Sequence, residues 1–518
     1  MTPDQTPDQT VARAPGTPVA HRPHRWVGLV RAVVVMGVGA GLVVGASRVP
    51  GVAQLAPVAV AAAAGTARER PVATASLTCP GPETEGVAEV PAASGTTTVY
   101  AATAPREALG DVAPSAGAGR LQLTPAGNDT AAAPEAAAVA AARGGGVRQT
   151  VSGATSVQVS ASGSLAPGAV ALQTWLSESG DQRALVATPC LAPRADLWLV
   201  GGGGETSRRE RIVLVNPGAN TVTADVSVLG TDGELQTSGG RDVAVPPRGR
   251  TTLVLDALVG AEATPVVHVT TTGGTVAAVL SDSWVDGAVG RGSDDAVPSA
   301  APSTEQVIPA AAIAGPAMLR IAVPGEQEAV VQTRLLTADG PRPLPASAVV
   351  RVPGRHVIDI DLSALPAGRD AIQVRADQPV VAGLMTQRRA AAATSQSDFA
   401  WTTSTPPISA VAGTLVPPGL DGGLTLAATG AAATATVTVV SAAGAVTRRA
   451  VTVPADSTLS LPLAGPSQVW VTPQSGTLRA GVDLVARVAA GAPGPLYTAY
   501  GLPSAVVTAT QVPVRRIG

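Results

Sequence analysis

The chain has 518 residues, a formal net charge of −2 from 35 basic and 37 acidic residues, and only 2% aromatic residues. Every basic residue is Arg, which excludes a P-loop lysine, a Schiff base and Ser-x-x-Lys acylation chemistry, and there is no basic stripe for nucleic acid. With so much Ala, Gly, Val and Pro, the absence of Lys reads as the bias of a GC-rich genome.

Residues 1–25 are rich in Pro, Thr and Gln and end in His21-Arg22-Pro23-His24-Arg25, the composition of a disordered tail. Residues 26–47 follow as an apolar segment broken only by Arg31, long enough as a helix to cross a hydrocarbon layer of ~30 Å. Arg13, Arg22 and Arg25 precede it, so the positive-inside rule places the tail in the cytoplasm and the bulk of the chain outside, on a single-pass membrane anchor. Ala59-Val60-Ala61 offers a signal-peptidase site, but it lies well past the apolar run; an uncleaved anchor is the reading adopted. Gly37, Gly41 and Gly45 share one face of that helix, a small-residue pattern that supports a helix-mediated homodimer.

Residues 48–70 form a Pro/Ala-rich linker, and residues 71–193 an irregular β module. Its Ala-rich insert at 131–142, bounded by Asp129/Thr130 and Gly144, suits either a capped short helix or disorder. Cys79 and Cys190, the only cysteines, bracket this module. In an exported chain they predict one disulfide closing a loop of about 110 residues, worth up to roughly 4–5 kcal/mol in the chain-entropy model.

From residue 194 onward one pattern recurs. Val/Leu/Thr runs alternate with turn residues between Arg211 and Trp284, and a shift of 107 carries Pro217-Gly218 onto Pro324-Gly325, Asp232-Gly233 onto Asp339-Gly340 and Val245-Pro246 onto Val352-Pro353. A weaker copy has Thr429-Gly430, Ala443-Gly444 and Val453-Pro454, and Val157–Trp175 echoes Val267–Trp284 upstream. The fold class expected is all-β: tandem immunoglobulin-like β-sandwiches at 194–308, 309–416 and 417–518 behind one N-terminal transmembrane helix. A β-propeller built from the same repeats is the alternative. Val222, Ala224, Val226 and Val228 alternate as one inner face.

No catalytic, cofactor-binding or metal site is predicted. His268 and His356 sit in strand patterns without a nucleophile elbow; Asp359/Asp361 read as a solvated strand face and Asp294-Asp295 as a loop. Gly201–Gly204 leads into a strand, not a helix, and reads as a flexible junction. The tryptophans near module ends read as core or inter-module plugs.

LTCPGP around Cys79, ATPC at Cys190, LWLVGGGG and VNPG…DG…VPPRGRTTLVL, behind an N-terminal anchor, resemble a group of uncharacterised actinobacterial envelope proteins known only as a domain of unknown function. The resemblance covers most of residues 72–518 and implies a secreted or membrane-tethered surface protein; it brings no catalytic residues. Expected function is therefore a non-enzymatic structural or binding scaffold of the envelope, without cofactor. The alternatives are an accessory module that contacts an envelope glycan or another envelope protein, and a hydrolase with an unrecognised acidic site.

Overall fold

The computed structural model describes residues 68–83, 95–110, 112, 117–126, 138–237, 239–344, 349–389, 396–487 and 494–511. The tail, the apolar segment 26–47 with Gly37, Gly41 and Gly45, and most of the linker lie outside the described residues. Among the described residues, no helix is long and apolar enough to cross a membrane.

Residues 196–296 define the repeating unit. Its first sheet runs Asp196–Val200, Val266–Thr272, Val222–Gly230, Gly233–Leu235, with Val243–Val245 also paired to the third of these. Its second runs Arg250–Val254, Arg208–Val215, Ala277–Asp286, Val289–Ala296. All pairings are antiparallel and the strand order is crossed, which makes a sandwich and not the meander of a propeller blade. The side chains of Val222, Ala224, Val226 and Val228 fill the space between the sheets together with Ile212, Leu214, Ala278 and Leu280, as the alternation predicts.

The same order recurs three times. In residues 303–403 two strands of the unit fuse into one of 22 residues, Gly368–Arg389, whose first half pairs in one sheet and second half in the other. Residues 411–501 repeat both sheets, and so do residues 74–189, where the order Thr74–Cys79, Ser156–Ser162, Arg120–Ala126, Ala138–Ala140 faces Gly146–Val151, Thr96–Thr103, Ala169–Ser177, Ala184–Pro189. Within the Ala-rich insert, Ala138–Ala140 is strand and not helix, because it extends a sheet edge beside Leu121–Leu123. A five-residue helix, Leu255–Val259, tucks Leu255 and Leu258 into the core of its copy.

The copies are not strung out in a line. The last strand of each, Ala184–Pro189, Val289–Ala296, Ser397–Thr403 and Tyr497–Gly501, packs on the next, and the fourth packs back on the first. A two-stranded ribbon of Arg68–Pro71 with Thr508–Gln511 joins the two ends of the described body. Four sandwiches thus close around a hub of four strands. Closure buries the second sheet of a copy on both faces: Val213, Val215, Ala277 and Val279 form a cluster of their own on the side away from the sandwich core, with Leu191.

Candidate functional site

The hub is polar where it is most deeply buried. Asp398 accepts backbone N–H groups from Leu185 (2.8 Å) and Tyr497 (2.9 Å), one from each of two other copies, and from Ser293 of a third at 3.3 Å. The Asp294 carboxylate accepts the N–H of Trp401 at 2.7 Å, and Asp295 the hydroxyl of Thr188 at 2.7 Å. Burial pushes Asp294 and Asp398 well above the usual carboxylate range, against the pull of these N–H donors. The sequence reading of Asp294-Asp295 as a loop is therefore corrected: both are buried in the innermost strand of their copy, Val289–Ala296.

Arginine forks fasten the seams between copies. Glu83 binds Arg211 (2.8 Å) and Arg250 (2.6 Å) between the first and second. Arg320, fully buried, holds Asp359 at two points (2.8 Å each) and reaches the carbonyls of Gly201, Gly202, Ala263 and Pro265 at 2.9–3.1 Å between the second and third. Arg369 grips Asp483 at 2.7 and 3.0 Å between the third and fourth, and Arg183 donates to the carbonyl of Gly494 between the fourth and first. A planar guanidinium with five donors can satisfy several carbonyls at once where an ammonium cannot, so the all-Arg composition has a structural use at every seam. Gly201–Gly204 is likewise a fitted cradle, not a flexible junction. A Cβ on Gly203 would fall 2.3 Å from both Arg208 and Glu205, and Gly202 has a φ of +81°.

Beside that cradle, Arg208 binds Asp282 at 2.8 and 2.5 Å, and Asp282 also accepts the indole N–H of Trp401 at 2.8 Å. Glu210 accepts the N–H of Gly203 at 2.7 Å; burial and the neighbouring Asp282 push it up to about 8. These carboxyls already hold protein donors and pack under the second copy's core, so they present no open acid/base pair.

The remaining residues singled out in the sequence have local roles. Cys79 and Cys190 form the disulfide (S–S 2.09 Å). His268 stacks on Trp198 with ring centroids 4.0 Å apart and meets Asp196 at 3.1 Å; His356 Nδ1 lies 2.6 Å from the carbonyl of Gly354. Asp359 serves Arg320, whereas Asp361 accepts the N–H of Ser363, so the alternating pair shares no site. Trp401 inserts from the third copy into the core of the second, and Trp198 packs the other way, against Ala322, Val357 and Val381. Among the described residues no group of three His, Cys, Asp or Glu could hold a metal ion.

One cavity stands out. At the C-terminal ends of the four hub strands the chain runs into Pro189, Pro298, Pro406 and Pro503, one from each copy, and between them lies a mostly apolar cavity of about 160 Å³. Proline has no N–H to donate to a ladder, although Pro189 and Pro298 still pair in register with Leu172 and Leu199. Thr403, Ser404 and Thr405 line it, and all three hydroxyls are buried without a hydrogen-bond partner. Gly501 is required at this point, because a Cβ there would sit 2.0 Å from the Thr405 methyl. No signal in the sequence marks these residues, since the cavity is assembled from all four copies.

Fold and site together define a four-copy β-sandwich protein closed around a buried polar hub with an apolar cavity at one end. The chain belongs to a family of unknown function, DUF5719, whose model matches residues 146–464. No curated protein matches it. A crystal structure of a tetra-tandem repeat in the extending region of a large adhesion protein aligns at 15% identity over 76% of this chain and 94% of that one, with a TM-score of 0.09, too low to bear on the fold.

Proposed function

We propose that the protein is a non-enzymatic, membrane-anchored scaffold of the cell envelope, with its β-sandwich body outside the membrane and a binding role for the hub cavity. The observation that carries this reading is the use made of the buried charges: each hub carboxylate is spent on donors of a neighbouring copy, which favours rigidity over acid/base chemistry. The disulfide suits an oxidising, extracytoplasmic compartment. The apolar segment at residues 26–47 supplies the anchor in this proposal. The test is to express the full chain in its native host and expose intact cells to protease. Digestion of the body with retention of an N-terminal membrane-bound fragment is expected; protection of the body in intact cells defeats the placement.

A further inference from the structure

An open groove of about 500 Å³ lies at the seam between the fourth copy and the first. Its volume falls in the range of ~300–1,000 Å³ typical of ligand sites, which favour junctions between folded units. The first copy contributes Tyr100 and Arg148, which pair directly across neighbouring strands and so stand side by side on one face. The fourth copy contributes Pro417, Pro418 and Pro466 together with Ser441 and Ser467. Gly144, Gly145 and Gly146 add lining that has no side chain to fill the space.

Among the described residues, Tyr100 and Trp284 are the two aromatic rings that are not buried. Trp284 is already covered by the guanidinium groups of Arg208 and Arg291, at 5.5 and 5.9 Å from its ring. Tyr100 has no such cation or second ring stacked on it among the described residues. Arg148 is exposed and meets no carboxylate among the described residues, and the lining holds no Asp or Glu. The basic character continues from the groove along the edge strand Val446–Val453, where Arg448 and Arg449 are both exposed. Neither serine is buried. Ser441 accepts the N–H of Ala445 at 3.2 Å, which leaves its own proton to donate, and Ser467 donates to the carbonyl of Ala464 at 2.8 Å, which leaves its lone pairs to accept.

A pyranose presents an apolar C–H face and a rim of hydroxyls. The face suits the Tyr100 ring and the prolines, and the rim suits the two serines. A neutral sugar leaves the guanidinium unanswered, whereas an anionic group on the sugar gives it a charge-assisted hydrogen bond, about twice as strong as a neutral one. An extended peptide docks through main-chain hydrogen bonds, and the proline wall has no N–H to offer it.

We infer that this groove binds an acidic saccharide, with a sugar ring against Tyr100 and its carboxylate or phosphate on Arg148. The groove is separate from the hub cavity and is tested on purified protein, so failure here leaves the envelope placement and the role of the hub standing.

The purified full chain is applied to an immobilised panel of cello-oligosaccharides, oligogalacturonates, phosphorylated manno-oligosaccharides and hexaglutamate. Binding to an acidic saccharide class is expected, with the neutral cello-oligosaccharides at least about tenfold weaker, the worth of one hydrogen bond to a charged group. Which class binds separates carboxylate from phosphate. Arg148→Gln removes the charge at an exposed position and is expected to weaken the acidic class at least about tenfold, leaving the thermal midpoint unchanged. Tyr100→Leu keeps an apolar contact with the fourth copy but loses the flat ring, and it is expected to weaken every saccharide. No acidic saccharide bound, cello-oligosaccharides bound equally well, or an affinity untouched by Arg148→Gln overturns the inference. Hexaglutamate held as tightly as the saccharides also overturns it and makes the groove a peptide site.

Discussion

Arg208 and Asp282 meet diagonally across neighbouring strands of the second copy, joined at two points and closed off from solvent. The same carboxylate holds the indole of Trp401 from the third copy, so one charge pair serves a core and a seam at once. Removing one partner of such a pair leaves the other charge buried. Asp282→Asn is expected to cost about 3–5 kcal/mol, read as a drop in the denaturant midpoint. Pairing it with Arg208→Met should restore part of the loss. Equal damage from the single and double variants would show that packing, not charge, makes the site sensitive.

Glu210 gives the pH dependence a sign. Its folded value, about 8, lies above the ordinary glutamate value of ~4.3, so the folded state holds this proton more tightly than the unfolded chain. Its contribution is complete below the unfolded value and is lost as pH climbs from there to about 8. Asp294 and Asp398, also raised, act in the same direction. Denaturant midpoints measured from pH 4.5 to 8.5 should fall with rising pH, and Glu210→Gln should flatten the slope. A midpoint that rises across this window contradicts the assignment.

Arg320 ties the second seam beside the Trp401 and Trp198 insertions. Replacing it with Met orphans four carbonyls and Asp359, at a cost of about 3–5 kcal/mol. Arg320→Lys should recover little, because an ammonium cannot span Asp359 and the glycine carbonyls together. Hydrogen exchange should quicken first at Gly201–Gly204 and across Ala317–Ala322. Uniform acceleration over all four copies would mean that the ring opens as a unit.

How much of this was legible depended on where each strand ended up. Turn dipeptides such as Asp232-Gly233 and Asp339-Gly340 act locally, so the repeat and its sandwich pairing could be read from spacing. Two strand signatures were also present. Val222–Gly230 alternates because one face meets the core, whereas Ile212–Val215 is apolar throughout because closure buries both faces. The second pattern is consistent with any buried strand, and the ring it reports was missed for that reason. Arg248, Arg355 and Asp456 show another limit. Each follows a Val-Pro marker and takes a left-handed φ of 50–61°, a conformation that their residue types did not announce. Asp294-Asp295 read as a loop, and Asp398 carried no signal, because the partners of the hub acids are mostly backbone N–H groups of other copies, which no side-chain motif encodes.

Those left-handed turns can be tested directly. Arg248 donates its own N–H to the carbonyl of Gly218 at 2.9 Å, so the turn is held in place despite its φ of 51°. A non-glycine residue there costs roughly 1–2 kcal/mol, partly offset by the greater unfolded-state freedom of glycine. Arg248→Gly is therefore expected to stabilise the chain by about 0.5–1 kcal/mol, and Arg248→Val to destabilise it by more than that. Glycine proving worse than arginine would mean that the Arg248 side chain contributes a contact larger than the strain.

Reduction tests the first copy separately. The Cys79–Cys190 bond spans 111 residues and links the first strand of that copy to the residue just after its last. In the chain-entropy model a loop of this length contributes about 4–5 kcal/mol. The bond is buried beside Val99, Leu121 and Val157, so folded protein should resist reductant until the first copy opens. Replacing both cysteines with Ala is expected to lower the denaturant midpoint and to quicken exchange in Thr74–Cys79 and its partner Ser156–Ser162. Arg320 and its seam, two copies away, should keep their protection, because that contact shares no residue with the bridged loop. Loss of protection there as well would make closure through the hub cooperative, with the disulfide acting on the whole ring and not on the copy that contains it.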